Sequence, residues 1–301
     1  MATARKSIGV VGIGSMGHNI VKLLRDKGYS LVIYDRTSEK YSDYAADNGV
    51  YCAKDADDFV EKLRQQEGNA KVWMMLPGGA ATNEFVSDIS ASLRRGDIVI
   101  DASNSMYEDS IANSRKLSDK GIYYLDVGCG GGPKDLLNGV SLMVGGEREA
   151  FEKAEDVFKT IAGNGTYGYV GGSGAGHMVK LVHNIIFYSI FPVVVEGTEM
   201  LLRMGEDRKG EIDMNEALRL LAASPPITTS ITSAIAEAYT EGLPDGAPEI
   251  TVSGMVSEGV KKAHALRINP GIIETVLSRY PYMSKKSREI YAAAKKIITS
   301  H

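Results

Sequence analysis

The sequence predicts an α/β domain with a doubly wound, mostly parallel sheet, followed by an all-α domain. Short runs rich in β-branched residues alternate with helical patterns over residues 7–170. This alternation stops after the glycine-rich stretch at residues 171–176, and long helical patterns fill the remainder of the chain. A chain of 301 residues, 44% of them hydrophobic, is long enough to bury two cores.

The predicted strands of the first domain are short and apolar. Segments between them are long enough for crossover helices, and residues 16–27 and 148–161 show the clearest amphipathic pattern. The strands are predicted at residues 7–13, 30–34, 72–76, 97–100, 122–126, 141–144 and 166–170.

Helical patterns dominate the second part of the chain. Glycine and proline residues separate them, at Pro225, Pro226, residues 242–248 and Pro270. We place the domain boundary near Gly174, which gives a dinucleotide-binding domain at 1–173 and a helical domain at 174–301. The helices are predicted at residues 177–204, 215–223, 227–240, 250–266 and 285–299.

Composition and termini narrow the class of protein. A net charge of −4 argues against a nucleic-acid partner, whose phosphates would need many cations. Cys52 and Cys129 match no metal spacing and are too few for a disulfide framework. Residues 1–6 lead directly into a strand and not into a signal peptide, and the apolar run 185–195 is too short to span a bilayer. We expect a cytoplasmic protein that uses neither metal nor membrane.

A glycine turn follows the first predicted strand and opens the first predicted helix. Gly12, Gly14 and Gly17 form a G-x-G-x-x-G motif, in which the glycines allow a tight turn, close approach of a pyrophosphate and close helix packing. The motif alone is also compatible with an ordinary strand–turn–helix, but its context favours a Rossmann nucleotide-binding unit. The expected pyrophosphate contacts come from the turn itself, at Gly12, Ile13, Gly14, Ser15, Met16 and Gly17.

The end of the second predicted strand bears on the choice of cofactor. Asp35 stands where an acidic residue accepts hydrogen bonds from the ribose of NAD and repels a 2′-phosphate. Arg36 and Thr37 argue the other way, because a guanidinium and a hydroxyl could hold that phosphate. We therefore expect NAD as the cofactor, with NADP as the alternative.

A polar cluster lies on one face of the long helix that follows the domain boundary. Lys180, His183, Asn184, Phe187 and Tyr188 follow the helical spacing i, i+3, i+4, i+7 and i+8. A lysine that is partly removed from water there could lose its proton near neutral pH and act as a general base. Without further context the same cluster is typical of a solvated helix face.

Four segments resemble those of the decarboxylating 6-phosphogluconate dehydrogenases, which belong to the β-hydroxyacid dehydrogenase superfamily. Residues 174–184 (GAGHMVKLVHN) resemble the catalytic segment, and residues 101–105 (DASNS) resemble the substrate-binding loop. Residues 128–146, with their many glycines, resemble the substrate segment. Residues 73–77 (WMMLP) resemble the cofactor-side strand and turn of the short bacterial form.

This resemblance implies a mechanism and a set of contacts. Lys180 takes the proton from the substrate 3-hydroxyl as hydride passes to the nicotinamide, and the β-keto acid then loses carbon dioxide. His183, Asn184 and Asn104 orient the substrate, Leu76 and Pro77 contact the cofactor, and no metal is needed. The resemblance also implies that copies of the chain form a homodimer or a higher homo-oligomer. The remaining implied contacts to a small anionic hydroxy acid are Gly131, Gly132, Tyr188, Thr251 and Arg279.

Three departures from the family pattern loosen the choice of substrate. Phe187 replaces the acid that protonates the enediol, Gly130 replaces a substrate-binding serine, and Glu249 replaces a basic residue that grips the phosphate. The alternatives are a dehydrogenase or semialdehyde reductase for another small anion, such as a phosphonate or a dicarboxylate. A non-catalytic NAD-binding regulator is a more remote alternative.

Overall fold

A computed structural model describes residues 6–37, 44, 49–66, 68–207, 212–224, 230–244, 250 and 254–299. Contacts divide the chain into two compact units between Lys180 and Leu181. The sequence places the boundary near Gly174, in the loop before the long helix, whereas the compact division falls inside that helix. The two units are described separately.

The first unit is built on one eight-stranded sheet in the order β3-β2-β1-β4-β5-β6-β7-β8. All neighbouring strands run parallel except β6 and β7, which are antiparallel, and this confirms the predicted doubly wound, mostly parallel sheet. A connection too short for a crossover joins β6 to β7 and reverses the chain direction. The strands are β1 Ser7–Val11, β2 Ser30–Tyr34, β3 Val50–Cys52, β4 Lys71–Met74, β5 Ile98–Asp101, β6 Tyr123–Gly130, β7 Ser141–Gly146 and β8 Thr166–Gly171.

The strands alternate between two hydrophobic clusters, as buried strands covered by helices on both faces must. Ile8 and Val10 of β1 face the cluster that contains Trp73, while Val11 faces the cluster that contains Phe59 and Phe85. Helices α1 and α6 contribute to the first cluster, and α2, α3 and α4 contribute to the second. The helices are α1 Ser15–Asp26, α2 Ala56–Arg64, α3 Ala80–Ser90, α4 Tyr107–Ser118, α5 Asp135–Asn138 and α6 Arg148–Ala162.

The prediction for β6 ended too early. The sequence predicts a strand that stops at residue 126, but β6 continues to Gly130, into the glycine-rich segment. Antiparallel pairing with β7 supports this extension, since Gly128 lies opposite Met143 and Gly130 lies opposite Ser141. Part of the glycine-rich segment is therefore strand.

The second unit is helical, as predicted. Its core joins Phe191 and Val195 of α7 to Ile231 and Ile235 of α9 and Tyr291 of α12. The sequence patterns did not predict helix α11. Of the predicted separators between helices, Pro225, Pro226 and residues 245–249 lie outside the described residues. The helices are α7 Ala175–Asp207, whose first turns belong to the first unit, α8 Met214–Ala223, α9 Ser230–Glu241, α10 Gly254–Ala265, α11 Gly271–Arg279 and α12 Lys285–Thr299.

Helix α7 is much longer than the apolar run that the sequence marks at 185–195. By length and composition alone, its segment Ala175–Glu206 could cross a membrane, a test that core helices of soluble proteins also meet. Pro192 lies inside the helix. Apolar side chains are exposed along α7 within the unit, at Val182, Ile186, Ile190, Val193, Met200 and Met204.

Candidate functional site

The glycine turn leaves the start of α1 open. Gly12 has a φ of +88°, in the region that favours glycine, and a Cβ there would collide with the backbone of Met75. A Cβ at Gly17 would collide with the carbonyl of Gly12. Gly14 is the N-cap of α1, no side chain caps the helix, and its first turn carries no acidic residue. The free N–H groups and the positive end of the helix dipole fit a pyrophosphate.

Asp35 holds the glycine turn against the end of β2. Its carboxylate is buried and accepts hydrogen bonds from the N–H of Ile13 (2.8 Å) and the N–H of Thr37 (2.9 Å). Thr37 and Arg36 are exposed, and the Arg36 guanidinium lies 4.0 Å from Glu84 of α3. The carboxylate therefore has a structural role in addition to any contact with ribose.

The turn after β4 is joined to the loop after β5. The Leu76 N–H donates to Ser103 Oγ (3.1 Å), and a Cβ at Gly78 would collide with the backbone of Asn104. Pro77 and Asn104 are both exposed. The predicted cofactor turn and the predicted substrate loop are therefore neighbours within the first unit.

A buried carboxylate at the end of β5 holds the loop that contains Asn104. Asp101, the last residue of β5, is fully buried and accepts from the N–H of Ser103 (2.9 Å) and the hydroxyl of Tyr124 (2.7 Å). Burial, followed by the charge of Asp101, raises the pKa of Tyr124 well above its usual value. Tyr124 therefore stays a neutral donor.

Lys180 is seated directly on the backbone of β6. A Cβ at Gly128 would lie only 2.5 Å from the Lys180 Cβ and 2.8 Å from the carbonyl oxygen of Gly176. Glycine at both positions lets the first turns of α7 approach the β6–β7 pair more closely than side chains would allow. Burial lowers the pKa of Lys180 below its usual 10.5, and the neighbouring Cys129 acts in the opposite direction.

A second buried carboxylate caps α7. Asp126 of β6 is fully buried and accepts from the N–H of Gly174 (2.7 Å) and the N–H of His177 (2.8 Å). The imidazole of His177 is also buried, with Nδ1 2.7 Å from Ser110 Oγ. The start of the helix that carries Lys180 is thus attached to the sheet and to α4.

Two residues of the glycine segment were missed by sequence reasoning, Cys129 beside Lys180 and Asp135 beside Gly132. Burial raises the pKa of the Cys129 thiol to about 11, although the Lys180 ammonium lowers it. Asp135 accepts a hydrogen bond from the N–H of Gly132 (2.6 Å), and Gly131 adopts a φ of +140°. Gly132 is a predicted substrate contact, and its N–H donates to Asp135.

The other predicted residues lie in the second unit. His183 is exposed, with Nδ1 3.4 Å from Asn184 Oδ1 in the same helix. Phe187 packs against the helical core, its ring 5.7 Å from that of Phe191. Burial raises the pKa of Tyr188. Arg279 is exposed at the end of α11, Thr251 and Glu249 lie outside the described residues, and no cluster of metal ligands occurs in the described part of the chain.

Comparison with known proteins identifies the family. Residues 7–171, more than half of the chain, match the model of the NAD binding domain of 6-phosphogluconate dehydrogenase. The decarboxylating 6-phosphogluconate dehydrogenase of Lactococcus lactis is 33% identical over 211 residues, 67% of this chain and 44% of that protein. The NAD(+)-dependent decarboxylating enzyme of Haloferax volcanii is 36% identical over 195 residues, 64% of this chain and 63% of that protein. The chain thus matches less than two thirds of each relative.

Solved structures share the fold. The 3-hydroxyisobutyrate dehydrogenase of Mycobacterium tuberculosis superposes with a TM-score of 0.71 at 17% identity, covering 97% of this chain and 99% of that one. The Plasmodium falciparum 6-phosphogluconate dehydrogenase superposes with a TM-score of 0.76 at 22% identity, covering 98% and 65%. The family match and the shared fold together confirm the predicted resemblance, the Rossmann fold and NAD(P) as the class of cofactor. The chain belongs to the family defined by the NAD-binding domain of 6-phosphogluconate dehydrogenase.

Proposed function

We propose that the chain oxidises a β-hydroxy acid with NAD(P), using Lys180 as the general base, and that loss of carbon dioxide follows. The observation that carries the proposal is the position of Lys180 on the glycine backbone of β6, where burial lowers its pKa. A lysine in solution is almost fully protonated at neutral pH and cannot accept a proton, so this burial favours the role of a base.

Residues of the first unit provide the cofactor half of the proposed site. The uncapped start of α1 binds the pyrophosphate, and Asp35 keeps the glycine turn in place. Leu76 and Pro77 border the nicotinamide end, next to the Asn104 loop. A bound nicotinamide would supply the hydride acceptor for the carbinol carbon of the substrate.

Lys180 moves the proton that balances this transfer. Its neutral amine takes the hydroxyl proton while the C–H electron pair leaves as hydride, so the carbinol becomes a carbonyl and Lys180 becomes an ammonium. The ammonium then donates a hydrogen bond to the new carbonyl oxygen. This stabilises the enolate that forms when the carboxylate leaves as carbon dioxide. Asn104, His183 and Asn184 are proposed to orient the hydroxyl and the carboxylate.

A second candidate is oxidation without decarboxylation, or the reverse reduction of a semialdehyde. Phe187 favours it, because a phenyl ring packed into the helical core cannot supply the second proton that an enediol needs. Gly130 favours a differently decorated anion, since it lacks the hydroxyl that would bind the substrate. The fold is shared with the Mycobacterium tuberculosis 3-hydroxyisobutyrate dehydrogenase. A non-catalytic NAD-binding regulator is a third candidate.

One assay separates the three candidates. The protein is incubated with NAD+ or NADP+ and a panel of β-hydroxy acids that includes 6-phosphogluconate and 3-hydroxyisobutyrate, and with semialdehydes and the reduced cofactors. Absorbance of the reduced nicotinamide and release of carbon dioxide are followed together. We expect one carbon dioxide per reduced cofactor. Turnover without carbon dioxide selects the second candidate, and no turnover with any compound selects the regulator.

A further inference from the structure

A small cavity of about 50 Å³ lies at the end of β2, beside the acidic residue that follows the strand. This is where the adenosine ribose of a dinucleotide lies when the pyrophosphate occupies the glycine turn. The cavity is lined from β2 and the residues after it by Tyr34, Asp35 and Arg36, and from α3 by Glu84, Phe85 and Asp88.

The charges around this cavity are predominantly negative. The described residues that line it include three acids, Asp35, Glu84 and Asp88, and one base, Arg36. Glu84 and Asp88 are one turn apart on α3, so they lie on the same side of the helix. Arg36, the cation that could hold a 2′-phosphate, has its Nη1 4.0 Å from Glu84 Oε2. Both side chains are 68% exposed, so the pair is accessible to a ligand.

The two cofactors differ at this position by a charge. A phosphate monoester carries about −1.5 to −2 near neutral pH, whereas the 2′-hydroxyl of NAD is neutral. To bind Arg36, a 2′-phosphate would have to displace the Glu84 carboxylate from the guanidinium. It would then lie beside two or three carboxylates, which would repel it. The 2′-hydroxyl of NAD requires no such displacement and is not repelled, and it can donate a hydrogen bond to a carboxylate.

We propose that Glu84, supported by Asp88, makes the chain select NAD over NADP by neutralising Arg36 and repelling the 2′-phosphate. Neither residue belongs to the glycine motif or to the end of β2, so sequence reasoning assigned them no role. The inference depends on the NAD-binding domain alone and is independent of the hydroxy-acid oxidation proposed above.

Binding measurements test this without any turnover. Titration calorimetry gives dissociation constants for NAD+ and NADP+, and for the fragments 5′-AMP and 2′-phosphoadenosine 5′-phosphate. We expect wild type to bind NAD+ more tightly. Glu84→Gln should reduce the NADP+/NAD+ ratio of dissociation constants by up to about fivefold, the upper end for an exposed charge pair. Most of this change should come from tighter NADP+ binding, and added salt should shrink it.

A matched control and a double-mutant cycle sharpen the result. Glu152→Gln removes the same charge from another exposed pair, with Arg148 at 3.8 Å on α6, and should leave the ratio unchanged. Arg36→Ala should weaken NADP+ binding more in the Glu84→Gln background than in wild type, because Glu84 no longer holds the guanidinium.

Two results would overturn the inference. Wild type could bind NADP+ at least as tightly as NAD+, or Glu84→Gln could shift the ratio no more than Glu152→Gln does. Failure of the oxidation assay would leave the binding results unaffected, because no hydroxy acid takes part in them.

Discussion

Two helix starts in the first unit are built in opposite ways. The start of α1 has no side-chain cap and no acid in its first turn. At the start of α7, the fully buried Asp126 accepts hydrogen bonds from the N–H of Gly174 and of His177. Both starts depend on glycines that let backbone approach backbone, at Gly17 in one case and at Gly176 in the other.

The difference shows how one structural element serves two purposes. An uncapped start leaves N–H groups and a positive dipole end for an external anion. A start capped from inside has no such capacity, but it holds the following turns of the helix in register with the sheet. The first arrangement fits a place for the cofactor, and the second fits a rigid support for Lys180.

The largest effect should come from Lys180→Met, which keeps the support and removes the amine. We expect NAD+ binding near that of wild type and turnover at least about a hundredfold lower, the lower end for loss of a general base. In wild type, kcat/KM should rise with pH through the lowered pKa of Lys180, and this limb should disappear in the variant. Near-normal turnover with an unchanged pH profile would show that another group is the base.

Lys180→Met should be at least as stable as wild type, although its turnover is lower. Because the folded-state pKa of Lys180 lies below its unfolded value of 10.5, the unfolded chain binds this proton more strongly. The destabilisation caused by burying the Lys180 ammonium is therefore fully present below the folded-state pKa of Lys180. It is lost as the pH rises from that pKa towards 10.5. Lys180→Met removes this destabilisation, so the Tm of the variant at neutral pH should equal or exceed that of wild type. A lower Tm would mean that the ammonium is well compensated in the fold.

The sequence predicted the parts of this comparison that are local in the chain. The glycines of the α1 start are contiguous with a strand and a helix, so their order alone predicted the turn. The position of Lys180 followed from helical spacing together with a family resemblance. The cap of α7 could not be predicted in this way, because Asp126 lies 48 residues from Gly174 and 51 from His177. Only the pairing of strands brings such residues together.

The same reason explains two other misses. Cys129 and Asp135 stand in a glycine-rich segment without a clear helix or strand pattern. Neither their position on or beside β6 nor their neighbours could therefore be inferred. Conversely, Asp35 was predicted as a ribose contact, but the structure shows that its oxygens also hold the turn. A local pattern identifies which residue is acidic, whereas its partners depend on the tertiary fold.

A smaller effect should follow from removing the cap of α7. Asp126→Asn keeps the size of the side chain but leaves one acceptor oxygen for two N–H groups and places an amide where a carboxylate was. We expect a loss of about 1–3 kcal/mol in the free energy of unfolding, as for a buried donor left without its partner. Urea unfolding measures this loss. Turnover should fall while NAD+ affinity stays unchanged, since the α1 start is untouched. A variant as stable as wild type would show that the cap is dispensable.

The smallest effect on the fold should come from converting the α1 start into a capped one. Gly14 has a φ of −81° and a ψ of −170°, which suit an N-cap, and a Cβ there would have no neighbour within 4 Å. Gly14→Asp should therefore raise the free energy of unfolding by about 0.5 kcal/mol through the cap and the helix dipole. The same carboxylate would face the pyrophosphate and should weaken NAD+ binding at least about tenfold. Gly14→Asn is the matched control, because it caps without charge and should gain stability with a smaller loss of affinity. If Gly14→Asp binds NAD+ as well as wild type does, the pyrophosphate does not lie at the α1 start, and the contrast between the two helix starts has no functional meaning.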